Sequence, residues 1–251
     1  MNHPLVFAHR GASAALPEHT LAAYLRALEE GADGLECDVR LTSDGHLVCL
    51  HDRRLERVSN GRGRVSAYTL AQLDQLDFGS WRGTGPAPLL TLERLLRAVR
   101  AAERPVRLLV ETKHPSRFGP EVERRLVALL HRHQLAEPAG GEPVQVTVMS
   151  FSTLAVRRIR RLAPALPTVL LRDLLTPGAW LHRLPPGTRI AGPSIGLVRA
   201  RPGLVPALRA GGNQVYVWTV NEPADLALVR GHRVDGVITD RPAEVLAAFG
   251  R

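Results

Sequence analysis

Eight short apolar segments, rich in β-branched residues, alternate with helical patterns along the whole 251-residue chain. Most of these segments are apolar throughout rather than at every second position, which is typical of parallel strands covered on both faces. Eight such strands with crossover helices in about 250 residues predict an α/β fold of the TIM (β/α)8 barrel type, with a doubly wound open sheet as the alternative. The predicted strands cover residues 5–10, 34–41, 106–113, 144–151, 167–173, 189–196, 214–220 and 235–240.

One connection, between the second and third of these strands, is longer than a barrel requires. It contains the hairpin pattern TSDGHLVCLHD, with its turn at Asp44-Gly45, and then a Gly- and Arg-rich insertion at approximately 53–88. Long insertions in barrel loops often shape a substrate pocket. No linker composition interrupts the chain, so residues 1–251 are predicted to form a single barrel domain with this small insertion after the second strand.

The helical patterns carry start and stop signals. The first, HTLAAYLRALEEG, places Leu21, Tyr24, Leu25 and Leu28 on one predicted apolar stripe and ends at Gly31. A helix after the fourth strand is expected to begin at Ser152, a residue type that caps helix N-termini well.

The chain is basic, with 33 Lys and Arg residues against 24 Asp and Glu and a formal net charge of +9. Every one of these cations is Arg except Lys113. The arginines are scattered, with short runs at 53–64 and 157–161, and aromatic residues make up only 4% of the chain. This pattern is a poor match to a nucleic-acid surface, so no nucleic-acid partner is expected and most arginines are assigned to the solvated surface.

The sequence also limits the cellular context. No apolar run reaches the roughly 18 residues of a membrane span, and the N-terminus lacks the basic and apolar regions of a secretory signal. Two cysteines, Cys37 and Cys49, are too few for a disulfide framework. We therefore expect a cytoplasmic protein without a stable membrane anchor, and the sequence leaves its oligomeric state open.

Charged side chains are concentrated at the ends of the predicted strands, where a TIM barrel places its active site. Glu36 and Asp38 lie two residues apart on the second strand and point to one face, and Glu111 and Lys113 repeat this spacing on the third. Three converging carboxylates repel one another unless a cation lies among them. Oxygen ligands of this kind select one hard divalent metal ion, Ca²⁺ or Mg²⁺, with Mn²⁺ also compatible. The intervening Cys37 is expected to point away, toward the helices.

Two histidines and two cations lie at neighbouring strand ends. His9 and Arg10 end the first strand, and His51 ends the return strand of the hairpin. Cleavage of a P–O bond needs one group that accepts a proton and another that protonates the leaving alcohol, and imidazole titrates in the range suited to both. Arg10 and Lys113, together with the metal, would neutralise charge on the phosphoryl oxygens. The residues therefore predict a metal-assisted phosphodiester hydrolase.

A family resemblance covers nearly the whole chain. The segment HRGASAALPEHTLAAYLRALEEGADGLECDVRLTSDGHLVCLHD (9–52) resembles the signature of the glycerophosphodiester phosphodiesterases, and LLVETK, VMSFS, VYVWTVN and DGVITDRP continue the resemblance in the same order. The resemblance implies a TIM barrel with a small insertion after the second strand. It also implies metal-dependent hydrolysis of glycerophosphodiesters, which are deacylated phospholipids, to sn-glycerol 3-phosphate and an alcohol.

The resemblance implies roles for individual residues as well. Glu36, Asp38 and Glu111 match the family's metal ligands, and His9 and His51 match its acid–base pair.

The remaining matches concern the substrate. Arg10 and Lys113 match residues that bind the phosphate. Trp218 falls where the family has an aromatic side chain near the bound glycerol, although packing in the barrel explains a tryptophan there equally well. His19 departs from the family's usual Asn, which supports the loop beside the catalytic histidine, and it brings a titratable ring to that position.

Other functions compete with this prediction. A lipid-cleaving barrel enzyme, of the phospholipase D-like or phosphoinositide-specific type, would need a route for acyl chains, and the sequence shows no aromatic cluster suited to a membrane. A non-catalytic binding module would be expected to lack one of the key residues, and a nucleic-acid binder would bind with strong salt dependence. The sequence leaves open which histidine is the acid, whether water or the substrate's own hydroxyl attacks, and which head group is preferred.

Overall fold

The computed structural model describes residues 3–137 and 143–251. Within these ranges the strands are β1 Leu5–His9, β2 Gly34–Leu41, β3 Leu47–Cys49, β4 Val106–Thr112, β5 Val144–Ser150, β6 Thr168–Arg172, β7 Ile190–Pro193, β8 Gln214–Val217 and β9 Gly236–Thr239. The helices are α1 Leu21–Glu29, α2 Leu70–Leu73, α3 Leu92–Arg100, α4 Glu121–Arg132, α5 Thr153–Leu162, α6 Ile195–Ala200, α7 Leu204–Ala210, α8 Pro223–Gly231 and α9 Pro242–Ala248. None of these helices has the length and apolar character needed to cross a bilayer.

Eight of the strands close into a parallel barrel. Strand β1 pairs with β2 on one side and with β9 on the other, so the ring β1-β2-β4-β5-β6-β7-β8-β9 has no open edge. Strand β3 lies outside this ring and pairs antiparallel with β2, with Val39 opposite Cys49, as the hairpin pattern predicts. The predicted TIM barrel is confirmed, and the open-sheet alternative is wrong because the sheet closes on itself.

Two apolar layers hold the barrel together. The interior is filled by Phe7, Leu109, Met149, Val169, Leu171, Ile190, Tyr216 and Ile238. A larger cluster lies between the strands and the helices, and Cys37 is fully buried in it. Because side chains alternate along a strand, the burial of Cys37 on the helix side turns Glu36 and Asp38 toward the barrel axis.

Helix α1 buries a different stripe from the predicted one. Ala23, Tyr24 and Ala27 are buried, whereas Leu25 is 42% exposed, so the placement of Leu25 on the buried stripe is wrong. Ala23 faces the loop after β1, where a Cβ atom on Gly11 would lie 2.6 Å from the Ala23 carbonyl carbon. Leu25 follows Ala23 by two residues, about 200° around the helix, and therefore points to solvent.

The insertion forms a small layer beside the barrel mouth. Residues 53–88 contain α2 and two short 3-10 helices, Val65–Ala67 and Ser80–Arg82. The layer shares one apolar cluster with β3, formed by Val48, Leu50, Leu55, Val58, Val65, Leu73, Phe78 and Leu89. This cluster anchors the insertion next to the strand ends that carry the charged residues.

Candidate active site

The carboxyl-terminal ends of β2 and β4 bring three buried carboxylates together. Glu36, Asp38 and Glu111 each offer an oxygen within 4.8 Å of the others, and the parallel register sets Asp38 directly beside Glu111. Their exposed fractions are 2%, 1% and 6%. Buried carboxylate oxygens at this spacing form the donor set of a hard divalent cation, so the residues present fit the predicted metal.

Two cations compensate part of this negative charge. The Lys113 Nζ atom lies 2.9 Å from Asp38 Oδ1 and 2.8 Å from Glu111 Oε1. The Arg10 Nε atom lies 3.2 Å from Asp38 Oδ2, an ion pair without a well-aligned hydrogen bond, and the Arg10 backbone N–H donates to Glu36 Oε2 at 3.2 Å. Two cations against three carboxylates leave a negative excess at the centre of the cluster.

The excess is visible in the pKa values of the carboxyl groups. Burial, together with the adjacent Asp38 charge, raises the pKa of Glu36 well above its ordinary range and that of Glu111 to about 8. Burial acts on Asp38 as well, but Lys113, His19 and Arg10 outweigh it and hold the pKa of Asp38 well below its ordinary value. Asp38 is therefore the firmly ionised member of the cluster.

His9 is held by a carboxylate. Its Nδ1 atom lies 2.7 Å from Asp240 Oδ1, and Asp240 also accepts hydrogen bonds from Ser13 Oγ at 2.8 Å and Asn221 Nδ2 at 2.6 Å. Burial favours a neutral Asp240, but His9, Asn221 and Ser13 outweigh it and lower the pKa of Asp240 far below its usual range. An ionised carboxylate only accepts, so Nδ1 of His9 carries the proton and Nε2 is left for chemistry.

His51 has the same arrangement with its neighbour in sequence. Its Nδ1 atom lies 2.7 Å from Asp52 Oδ1, while Asp52 Oδ2 accepts from Arg57 Nε at 2.6 Å. Burial lowers the pKa of His51 to about 4, although the negative charge of Asp38 opposes this. Burial would raise the pKa of Asp52, but Arg57 and His51 bring it to about 2. At pH 7 His51 is neutral and donates through Nδ1.

Arg57, which lies in the insertion, links the two sides of the mouth. Its terminal nitrogens donate to Glu18 Oε2 at 2.7 Å and Oε1 at 2.8 Å, and Glu18 Oε1 also accepts from Arg10 Nη1 at 3.0 Å. Burial of Glu18 is outweighed by Arg57 and Arg10, which lower its pKa to about 2. One polar chain therefore runs from His51 through Asp52, Arg57 and Glu18 to Arg10.

His19 lies beneath the carboxylate cluster. It is 4% exposed, its Nε2 atom lies 2.9 Å from Asp38 Oδ2, and its Nδ1 atom lies 2.7 Å from the Tyr24 hydroxyl. Its φ of 61° is left-handed, a conformation that Asn and His adopt more often than most residues. Burial lowers the pKa of His19. The sequence predicts support of a loop, and the structure adds a direct contact with Asp38.

Trp218 lies just beyond β8, across the barrel from β4. Its Nε1 atom donates to the Gly192 carbonyl at 2.7 Å, and its ring meets Phe151 edge-on with centroids 5.4 Å apart. These contacts make Trp218 and the 39% exposed Phe151 an apolar side of the mouth. A contact between Trp218 and glycerol stays a prediction.

The segment after β6 exposes more apolar surface than the sequence indicates. Leu174, Leu175 and Trp180 are 61%, 89% and 54% exposed. The Trp180 ring also carries Arg183 at 5.8 Å from its centroid.

No role was assigned from the sequence to Glu18, Arg57 or Asp240. Asp240 had a usable signal, since it follows the last strand at the end where the other charged residues lie. Glu18 and Arg57 had none, because their hydrogen bonds join two loops that are 39 residues apart in sequence.

The fold and these residues together define a class of protein, the TIM-barrel enzymes that act on phosphodiesters. The sequence profile of the Glycerophosphoryl diester phosphodiesterase family matches residues 9–244. The chain belongs to this family, which confirms the resemblance found in its sequence.

Individual relatives agree with this assignment. A probable glycerophosphodiester phosphodiesterase 1 from Mycobacterium tuberculosis is 50% identical over 256 residues, covering 98% of this chain and 92% of the relative. A glycerophosphodiester phosphodiesterase from Bacillus subtilis is 33% identical over 253 residues, covering 95% and 84%. Among solved structures, an Oleispira antarctica phosphodiesterase in complex with the product sn-glycerol-3-phosphate superimposes with a TM-score of 0.84 at 26% identity, covering 99% and 97%.

Proposed function

We propose that the protein hydrolyses glycerophosphodiesters to sn-glycerol 3-phosphate and an alcohol, using a divalent metal ion and a histidine acid–base pair. The observation that carries this proposal is the joint placement of a buried carboxylate cluster, two cations and two carboxylate-held histidines at one barrel mouth. The glycerol 3-phosphate in the Oleispira relative supports the same product.

Glu36, Asp38 and Glu111 would hold the metal, with Ca²⁺ and Mg²⁺ as the candidates that suit an all-oxygen donor set. When bound, the ion supplies positive charge that stabilises the phosphoryl oxygens as the P–O bond breaks. The raised pKa values of Glu36 and Glu111 support this role, because they reflect carboxylates whose repulsion is not fully relieved by Lys113 and Arg10.

Arg10 and Lys113 would bind the scissile phosphate. Both cations already lie against Asp38, at 3.2 and 2.9 Å, so their positions are fixed before substrate arrives. Positive groups held in a buried site stabilise developing charge without reorganising, which is the larger part of catalysis in many enzymes.

His9 and His51 would move the protons. Each Nδ1 is held by a carboxylate, Asp240 or Asp52, which leaves each Nε2 to accept or deliver a proton at the mouth. One histidine takes the proton of the attacking hydroxyl, from water or from the glycerol itself by way of a cyclic phosphate. The other protonates the alkoxide as the bond from phosphorus to the alcohol breaks.

The test is release of glycerol 3-phosphate from glycerophosphocholine or glycerophosphoethanolamine, with Ca²⁺, Mg²⁺ or Mn²⁺ supplied and then removed by a chelator. Replacing His9 or His51 by Ala should lower turnover by at least ~10²-fold. His131→Ala, on the exposed last turn of α4, is the matched control and should keep the native rate. A full rate after chelation, or in either active-site variant, would contradict the proposed mechanism.

A cytoplasmic location, one domain over residues 1–251 and the absence of nucleic-acid binding stay predictions from the sequence.

A further inference from the structure

A second cleft lies beside the active site between the insertion and the loop after β4. Four arginines line it, Arg40, Arg53, Arg64 and Arg117, and Lys113 forms part of its wall. None of the described residues that line it is acidic. The cleft is therefore positively charged. Lys113 connects it to the carboxylate cluster, because this side chain lines the cleft and also contacts the carboxylates.

Two of the cleft arginines, Arg53 and Arg64, lie in the insertion, where two neighbouring arginines are ion-paired. Arg54 is paired with Glu56 and Arg57 with Glu18 and Asp52. Over residues 3–137 and 143–251, by contrast, no carboxylate lies within ion-pair distance of the guanidinium of any of the four cleft arginines. Several guanidinium groups around one concavity, none of them paired with a carboxylate, can bind an anionic ligand.

Arg40 joins the cleft to the active site. It follows Asp38 by two residues on β2, and its Nε and Nη2 atoms donate to the carbonyl of His51 at 2.9 and 2.6 Å. Burial lowers the pKa of Arg40, although Asp38 and Glu111 oppose this. The Arg40 guanidinium is thus half-buried, held by a neutral carbonyl, and lies between the reacting centre and the cleft.

The two walls of the cleft touch each other. Arg117, in the loop after β4, donates from Nη1 to the carbonyl of Ser66 in the insertion at 3.4 Å, and it lies 5.8 Å from the Phe118 ring centroid. Arg64 and Ser66 follow one another closely on the opposite wall. The insertion therefore gives the site a cationic extension that a bare barrel would lack.

We propose that this cleft binds a second phosphate group, carried on the alcohol portion of the substrate. The preferred substrates are then glycerophosphodiesters whose alcohol bears a phosphate. This inference rests on the proposed function, in which Arg10 and Lys113 bind the scissile phosphate. Phosphate is the anion that planar guanidinium forks match with paired hydrogen bonds, and Lys113 lines both places, so one ligand can span them.

The test compares a matched pair of substrates, glycerophosphoinositol and its derivative with one phosphate on the inositol ring. The wild-type protein should show a kcat/KM at least about tenfold higher for the phosphorylated compound, the size of one or two charge-assisted contacts. Arg64→Gln combined with Arg117→Gln should remove most of this advantage. Arg157→Gln, on the exposed side of α5, is the matched control and should retain it.

Inorganic phosphate distinguishes a substrate subsite from a site for the free ion. For a substrate subsite, added phosphate should lower the kcat/KM of the phosphorylated compound more than that of glycerophosphoinositol, and the extra loss should disappear in the double variant. If phosphate instead alters the rate on glycerophosphoinositol through Arg64 and Arg117, the cleft serves the free ion and the substrate assignment is overturned. Equal kcat/KM values for the two compounds in the wild-type protein would overturn it as well.

Binding measured by calorimetry separates this inference from the proposed function. If the phosphorylated compound binds more tightly and the double variant loses this difference, the cleft is a phosphate site even if neither compound is hydrolysed. If both compounds bind equally, the assignment of the cleft as a phosphate site is overturned even if both are hydrolysed well.

Discussion

Arg57 donates to both carboxylate oxygens of Glu18, at 2.7 and 2.8 Å, and so ties the insertion to the loop that follows β1. The same guanidinium donates to Asp52, the partner of His51, while Glu18 accepts from Arg10. The insertion therefore takes part in positioning a proposed acid–base residue and a proposed phosphate ligand at once.

Arg57→Gln should lower kcat by about 10–100-fold, because small displacements of reacting groups cost rates of this size. Arg57→Lys should resemble the Gln variant more than the native protein, since an ammonium cannot form the paired contact. The pair is partly exposed, so the melting temperature should change little. Arg54→Gln, which breaks another ion pair of the insertion, is the control. A native kcat in Arg57→Gln would show that the link has no role in turnover.

Asp240→Asn should lower kcat by about 10²–10⁴-fold, because an amide can donate to His9 Nδ1 and thereby stabilise the wrong tautomer. Ser13→Ala removes only one donor to Asp240 and should cost much less. Steady-state kinetics of both variants, with the metal saturating, measure the difference. Similar losses in the two variants would mean that Asp240 acts on the loop and not on the imidazole.

Lys113→Arg should lower kcat/KM by at least about tenfold, since Lys113 is 9% exposed and its compact ammonium fits between Asp38 and Glu111. Arg is the residue at every other basic position of this chain apart from histidines. The substitution changes the shape of the cation and keeps its charge. Kinetics on any accepted glycerophosphodiester provide the measurement. A native kcat/KM would show that the site accepts a guanidinium.

His51 should titrate at about 4 in the metal-free protein, below the ordinary value for histidine, because burial disfavours its charged form. The imidazole is then neutral at pH 7 and becomes charged only as the pH falls through 4. Asp52→Asn should lower this pKa further, since the Asp52 carboxylate favours the charged ring. NMR titration of the ring protons tests both statements, and a midpoint near 6.5 would rule them out.

Local patterns predicted most of this architecture. The strand positions, the hairpin turn at Asp44-Gly45 and the joint placement of Glu36, Asp38 and Glu111 all depend on alternation along strands and on parallel strands ending together. These are properties of neighbouring residues in sequence, so a single sequence contains them.

Features that depend on contact between distant loops could not be predicted from such local patterns. The bridge from Arg57 to Glu18 and the cleft between Arg64 and Arg117 exist only after the insertion has packed against the barrel. Leu25 shows the same limit on α1, where contact between Gly11 and Ala23 sets which side of the helix faces the barrel and leaves Leu25 exposed. The run at 53–64 contributes Arg53, Arg57 and Arg64 to the mouth and its cleft.

The most direct test of the central claim is to follow glycerophosphocholine by ³¹P NMR with wild-type protein and a divalent metal. The account predicts that the diester signal is replaced by that of sn-glycerol 3-phosphate. It also predicts that the conversion stops in Glu36→Gln, which removes one of the three carboxylates proposed to hold the metal. Formation of phosphocholine and glycerol, or an unchanged diester signal with every metal tried, would contradict the account.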